Sequence, residues 1–168
     1  MKLFVAPTEI VWSKLDWDKP TVFLAGGITD CPEWQDEVIK KLDDIEAYVF
    51  NPRRKNFPIH DPSAAREQIK WEFDALERCD LFTMWFSAGK SDQPICMYEL
   101  GRNIALHTMS PYSPITIAIG VEPSYRREQD VKIQLELIDP NIKITDSIDD
   151  HVANIKKAVE TWRSRKTQ

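Results

Sequence analysis

The sequence predicts an α/β protein: a Rossmann-like or flavodoxin-like three-layer sandwich whose central, mostly parallel sheet has about five strands. Three observations lead there. Short apolar runs rich in β-branched and aromatic residues recur along the chain, and segments with apolar residues at helical spacing separate them. Several of the runs stop abruptly at glycine or at Asn-Pro, the punctuation of a strand end. The chain has 168 residues, enough for one domain to bury a core without metal or disulfide support. Strands that alternate with helices are joined by right-handed crossovers, which gives a parallel sheet covered on both faces.

TVFLAGG (21–27) is the first buried strand, closed by two glycines. PEWQDEVIKKLDD (32–44) follows as a helix, with Trp34, Val38 and Leu42 in phase. AYVFNP (47–52) is the second strand. DPSAAREQIKWEFDALERC (61–79) opens on cap-type residues, and Ile69, Phe73 and Leu76 mark one face of the helix. DLFTMWF (80–86) is a strand, SAGKSDQP a loop, ICMYELGRNIALH (95–107) a helix and PITIAIG (114–120) a fourth strand. RREQDVKIQLELI (126–138) is helical through Val131, Leu135 and Ile138; IKIT (142–145) is a short strand and DDHVANIKKAVETWRSR (149–165) a closing helix. Residues 1–18 form an N-terminal extension to a domain that takes in the whole chain.

A charged fraction of 29%, a hydrophobic fraction of 42% and a net charge of −5 fit a soluble globular protein and lack the basic footprint of a nucleic-acid binder. Cys31, Cys79 and Cys96 form no CxxC pair, and an odd count argues against a disulfide framework, so cytoplasmic thiols are expected. The N-terminus lacks the long apolar core of a signal peptide, and no run reaches the length of a membrane span. His60, His107 and His151 are dispersed without ligand spacing, so a metal site is not expected. GxGxxG, GxxxxGK[ST] and GxSxG patterns are absent.

Ligands of open parallel sheets bind beyond the carboxyl ends of the strands. That rule singles out Gly26 and Gly27, the Asn51-Pro52-Arg53 corner, the loop 86–94 and the residues after Gly120. The glycines serve either a turn needing positive φ or a close backbone approach to a ligand. Glu99 is either a first-turn carboxylate that settles a helix dipole, with Arg102 and Asn103 in reach, or a nucleophile able to attack an anomeric carbon. Asp74 has Lys70 and Arg78 four residues to either side, so a surface ion-pair face competes with a role in the cleft. Asp80 settles a helix-to-strand turn, and Asp92 is a loop acid, solvated or turned inward. Trp34, Trp71 and Trp85 suit the core, and Trp34 could alternatively stack on a base.

PTVFLAGGI (20–28), VFNPRR (49–54), QIKWEFDALERCDLFTMWF (68–86), MYELGRNIAL (97–106) and VEPSYRREQDVKIQ (121–134), in that order, resemble the nucleoside 2-deoxyribosyltransferase family, in particular its short deoxyribosyltransferase-like branch. The resemblance runs from about residue 18 to 160. It implies that Glu99 is the nucleophile of a covalent deoxyribosyl-enzyme and that Asp74 meets the base and helps protonate its leaving nitrogen. Asp92 falls one position from an acid that positions sugar hydroxyls. Phe23 stands where some members carry a tyrosine that orients the glutamate; phenylalanine cannot supply that hydrogen bond, and Tyr98 is the candidate replacement. Asp130 falls near a group that a neighbouring subunit offers to the 5′-hydroxyl, so a homo-oligomer with shared sites is implied.

The implied reaction exchanges nucleobases on 2′-deoxyribonucleosides and needs no metal or organic cofactor. Small-molecule nucleosides and bases are the expected partners, with no nucleic-acid polymer and no membrane. Hydrolysis of nucleoside 5′-monophosphates by the same glutamate is the alternative. Asp130 would repel a phosphate, whereas Arg126, Arg127, Ser87 and Ser91 could attract one. A non-catalytic nucleotide-sensing module is a third reading, because fold does not fix function.

Overall fold

The computed structural model describes residues 1–58, 60–109 and 115–166. Six strands form one sheet: β1 (Lys2–Val5), β2 (Thr21–Gly26), β3 (Tyr48–Asn51), β4 (Leu81–Phe86), β5 (Thr116–Val121) and β6 (Ile144–Thr145). Four helices link β2 to β6 in turn, α1 (Trp34–Lys41), α2 (Pro62–Leu76), α3 (Pro94–Thr108) and α4 (Glu128–Ile138), and α5 (Ile148–Lys166) follows β6; between β1 and β2 there is a 3-10 turn at Trp12–Lys14. The strand order is β1-β3-β2-β4-β5-β6 and every pairing is parallel. From β2 onward this is the flavodoxin-like 2-1-3-4-5 order with one further strand outside it.

All six residues of β2 and all six of β4 are buried, as expected of central strands covered on both faces. One core layer takes Phe23, Phe50, Trp71, Phe82 and Leu100 together with residues of α4. The other takes Val22, Leu24, Trp85 and the inward faces of α1 and α5. The chain runs from β2 to β3 on one side and then crosses by α2 to β4 on the other. The carboxyl ends of β2 and β4 therefore flank the point where strand order reverses, the place such sheets leave open for a ligand.

Four findings differ from the sequence expectation. The sheet has six strands rather than about five, because Lys2–Val5, within the supposed extension, pairs with Tyr48–Asn51 at the sheet edge. Phe4, Ala6 and Leu15 then pack into the core, and Trp71 Nε1 donates to the Thr8 carbonyl at 2.8 Å. On α2 the buried positions are Ala64, Gln68, Trp71, Ala75 and Leu76, whereas Ile69 and Phe73 face outward. Ile138 of α4 is likewise exposed, although Val131 and Leu135 are buried. The fourth strand begins at Thr116, and Pro114, where it was expected to start, lies outside the described residues.

Candidate active site

A cavity of about 320 Å³ opens at the strand-order reversal. Its walls come from the end of β2 and the loop after it (Phe23 and Ala25 to Thr29), from Pro52, from Glu72 of α2, and from the start of α3 (Ser91 and Gln93 to Cys96, with Glu99). The size suits a small organic ligand.

Backbone conformation sets the first wall. Gly26 has φ +148°, and a Cβ there would collide with the Trp85 carbonyl and the Trp34 ring. Glycine is required at this position by geometry. Trp34 Nε1 donates to the Gly27 carbonyl at 3.0 Å, and its side chain is buried in the core layer shared with α1 and α5. Trp34 thus supports the glycine turn from behind and does not line the cavity.

The opposite wall is the entry into α3. Gln93 precedes the helix in the left-handed region (φ 50°, ψ 54°) and is buried, an uncommon state for a residue other than glycine. Its Nε2 donates to the Ser87 carbonyl at 2.8 Å, which fixes the amide, while its Oε1 has no hydrogen-bond partner. Pro94 then opens the helix, as its fixed φ favours. Glu99 therefore lies in the second turn, beyond the reach of a first-turn dipole contact. Arg102 pairs with Glu77 instead of Glu99, and Asn103 Nδ2 donates to the backbone carbonyl of Glu99 at 2.8 Å. The helix-start account of Glu99 loses its support.

Glu99 and Glu72 share the cavity. Burial, and then the negative charge of Glu72, push the Glu99 carboxyl up to about 8. Burial also raises Glu72, against the opposing effect of Gln68, whose Nε2 donates to Glu72 Oε1 at 2.7 Å and to the Pro52 carbonyl at 2.7 Å. Both carboxyls are half-buried in one cavity, and each charge disfavours ionisation of the other, so the neutral form of each is favoured beyond its ordinary range. Cys96 also lines the cavity, but burial and Glu99 push its thiol to about 12, which leaves it neutral and unreactive.

The other expected site residues are distributed as follows. Phe23, Gly26 and Gly27 line the cavity. Asp74 does not: it pairs with Lys70 and borders a separate groove between α2 and the N-terminal segment, with Trp12 and Trp71. The cause is helical phase, because residues two apart on a helix point roughly 200° apart, so Glu72 and Asp74 face opposite ways. Asn51 is buried at a neighbouring hollow of about 480 Å³, where Oδ1 accepts from the Arg53 amide. Asp92 is exposed; its side chain pairs with Arg126 and its carbonyl accepts from the Tyr125 hydroxyl at 2.8 Å. Tyr98 is 70% exposed on the outer face of α3, away from Glu99's side of the helix. Asp130 pairs with Arg127 and does not line this chain's cavity. Glu72 and Gln93 were missed from sequence. Their signals were the QIKWE phase, in which Gln68 and Trp71 set the inward face, and a glutamine placed just before a helix-opening proline at a strand-end loop.

The acid-lined cavity lies at the strand-order reversal of a parallel sheet, where α/β proteins of this topology bind small molecules. Residues 19–110, more than half of the chain, match the family model described as nucleoside 2-deoxyribosyltransferase like, and the chain belongs to that family. No curated protein matches the chain. Among the described residues no His, Cys, Asp and Glu cluster is placed to hold a metal ion, and no helix is long and apolar enough to cross a membrane.

Proposed function

We propose that the protein exchanges nucleobases on 2′-deoxyribonucleosides through a covalent deoxyribosyl-Glu99 intermediate, with Glu72 in the proton-transfer role expected of Asp74. The observation that carries this reading is the pair of half-buried glutamates that line one strand-end cavity, both with carboxyls raised by burial. A Glu99 oxygen attacks C1′ while the C1′–N bond breaks, its electron pair passing to the base. The reacting form carries its proton on Glu72 and leaves Glu99 ionised; that proton goes to the base nitrogen, so the leaving group departs neutral. The incoming base then attacks C1′ by a ring nitrogen, the ester C1′–O bond breaks, and the nitrogen's proton returns to Glu72. Glu99 ends as a carboxylate, ready for another cycle. The unpartnered Gln93 Oε1 supplies an acceptor for a sugar hydroxyl.

Two carboxylates and, among the described residues, no lysine or arginine line the cavity, which favours an uncharged 5′-hydroxyl over a phosphate. Ile69, Phe73, Ile95, Tyr98 and Met109 leave the outer faces of α2 and α3 apolar and exposed, and Ile95 also borders the cavity. This supports a homo-oligomer that covers the cavity mouth, with Asp130 offered to a neighbour's site. Three free thiols fit a cytoplasmic salvage enzyme.

Incubation with deoxyinosine and adenine tests the reading. Deoxyadenosine should form with the wild type and not with Glu99→Ala. Free hypoxanthine without exchange would identify a hydrolase, and binding without any product would identify a sensor. Light scattering of the eluting species tests the oligomer.

A further inference from the structure

The NPRR stretch after β3 carries a residue that the proposed chemistry leaves unused. The Arg53 guanidinium runs from the end of β3 to the loop that follows β2. Its Nε donates to Gln35 Oε1 at 2.7 Å, and Nη2 donates to the Pro32 carbonyl at 2.7 Å. The carbonyls of Gly27, Ile28 and Cys31 stand 3.3 Å from the same Nη2. Two N–H bonds cannot serve four acceptors equally, so much of this attraction is between charge and dipole. Four partly negative oxygens converge on one cation. Trp34 Nε1 and the Cys31 amide hold the Gly27 and Ile28 carbonyls singly; the guanidinium is the group that gathers all four and offsets their mutual repulsion.

A trans peptide sets its C=O and N–H on opposite sides. With the Gly27 and Ile28 carbonyls turned to the guanidinium, the N–H groups of Ile28 and Thr29 turn away from it. Gly27, Ile28 and Thr29 are also the segment that walls the Glu72–Glu99 cavity. We infer that Arg53 is a positioning residue: by gathering the carbonyls of residues 27–32 it fixes that wall and presents backbone N–H donors to the acceptor atoms of a bound nucleoside. The inference rests on the cavity being the deoxynucleoside site. Lysine would keep the charge but not the planar fork that reaches Gln35 and the carbonyls together.

The test compares wild type, Arg53→Lys and Arg53→Met by amide hydrogen exchange, thermal melting and steady-state kinetics with deoxyinosine and adenine. In Arg53→Met, exchange in residues 27–32 should accelerate by about tenfold or more while the strands stay protected. KM for the deoxynucleoside should rise by about tenfold with a much smaller change in kcat, and Arg53→Lys should recover part of the loss. Unchanged loop exchange would overturn the inference. So would an equal fall in activity and melting temperature without a change in KM, the mark of a merely structural arginine. If the wild type neither binds nor converts deoxynucleosides, the functional reading of the cavity fails. Loop exchange would still decide whether Arg53 holds that wall.

Discussion

On one face of the sheet His151 is wholly buried between α5 and the strands, 5.3 Å from the Trp85 ring, with Nδ1 3.4 Å from Thr145 Oγ1. On the other face Glu72 and Glu99 are also largely withdrawn from solvent, but into a cavity. Burial favours the neutral form of all three, pushing His151 down to about 3 and Glu99 up to about 8. Only the glutamates have empty space in front of them. A shifted proton affinity shared by a packed core and a site is therefore not the distinguishing feature; the cavity is.

This contrast can be broken or sharpened by substitution. The largest effect is expected at Glu99, where Glu99→Ala should lower exchange activity by about 10³-fold or more while deoxynucleoside binding survives, measured by product formation and by calorimetry. Glu72→Gln should cost about 10²-fold or more through loss of the proton donor. Its residual activity should also persist to lower pH, because removing the Glu72 charge lets Glu99 ionise more readily; the pH–rate profile reads this shift.

At the sealed site the effect falls on stability. The unfolded state protonates histidine near 6.5 and the folded state only near 3, so the stability due to neutral His151 is full above about pH 6.5 and is lost as the pH falls towards 3. That loss is on the order of 4 kcal/mol, and His151→Leu should flatten the acid side of a denaturation–pH curve. Glu99 acts in the opposite sense: its raised folded value makes its contribution full below the ordinary carboxylate range and lost as the pH rises through about 8. Glu99→Gln should thus be inactive yet more stable than wild type at pH 8, by roughly 1–3 kcal/mol in urea melts, which is the cost a working acid imposes on its fold. Asp74→Asn should be nearly silent, with less than about threefold change in rate and about 0.5 kcal/mol or less in stability, because it loses only an exposed i,i+4 pair.

Most of the sheet was legible because its strands are continuous apolar runs ended by turn residues. β1 was not, since KLFV is four residues long, half exposed and earns its place only through pairing with β3. Glu99 was legible from its place after a strand end. The partner acid was not, because Ile69 and Phe73 advertised the wrong face of α2. Apolar side chains that stay exposed on the outside of a helix mimic a core stripe, whereas the true inward face carries Gln68 and two alanines. A half-turn difference in phase puts Glu72 at the cavity and Asp74 at the separate groove.

The edge strand has a consequence for biogenesis. Lys2–Val5 is synthesised well before Tyr48–Asn51, its only partner in the sheet, so during translation it must wait unpaired while β2 and α1 emerge. The family match begins at residue 19, yet a polypeptide trimmed to that boundary would leave Phe50 without the Phe4 and Trp12 rings that pack on it, and Trp71 Nε1 without the Thr8 carbonyl. Where homology starts and where folding competence starts are different addresses on this chain.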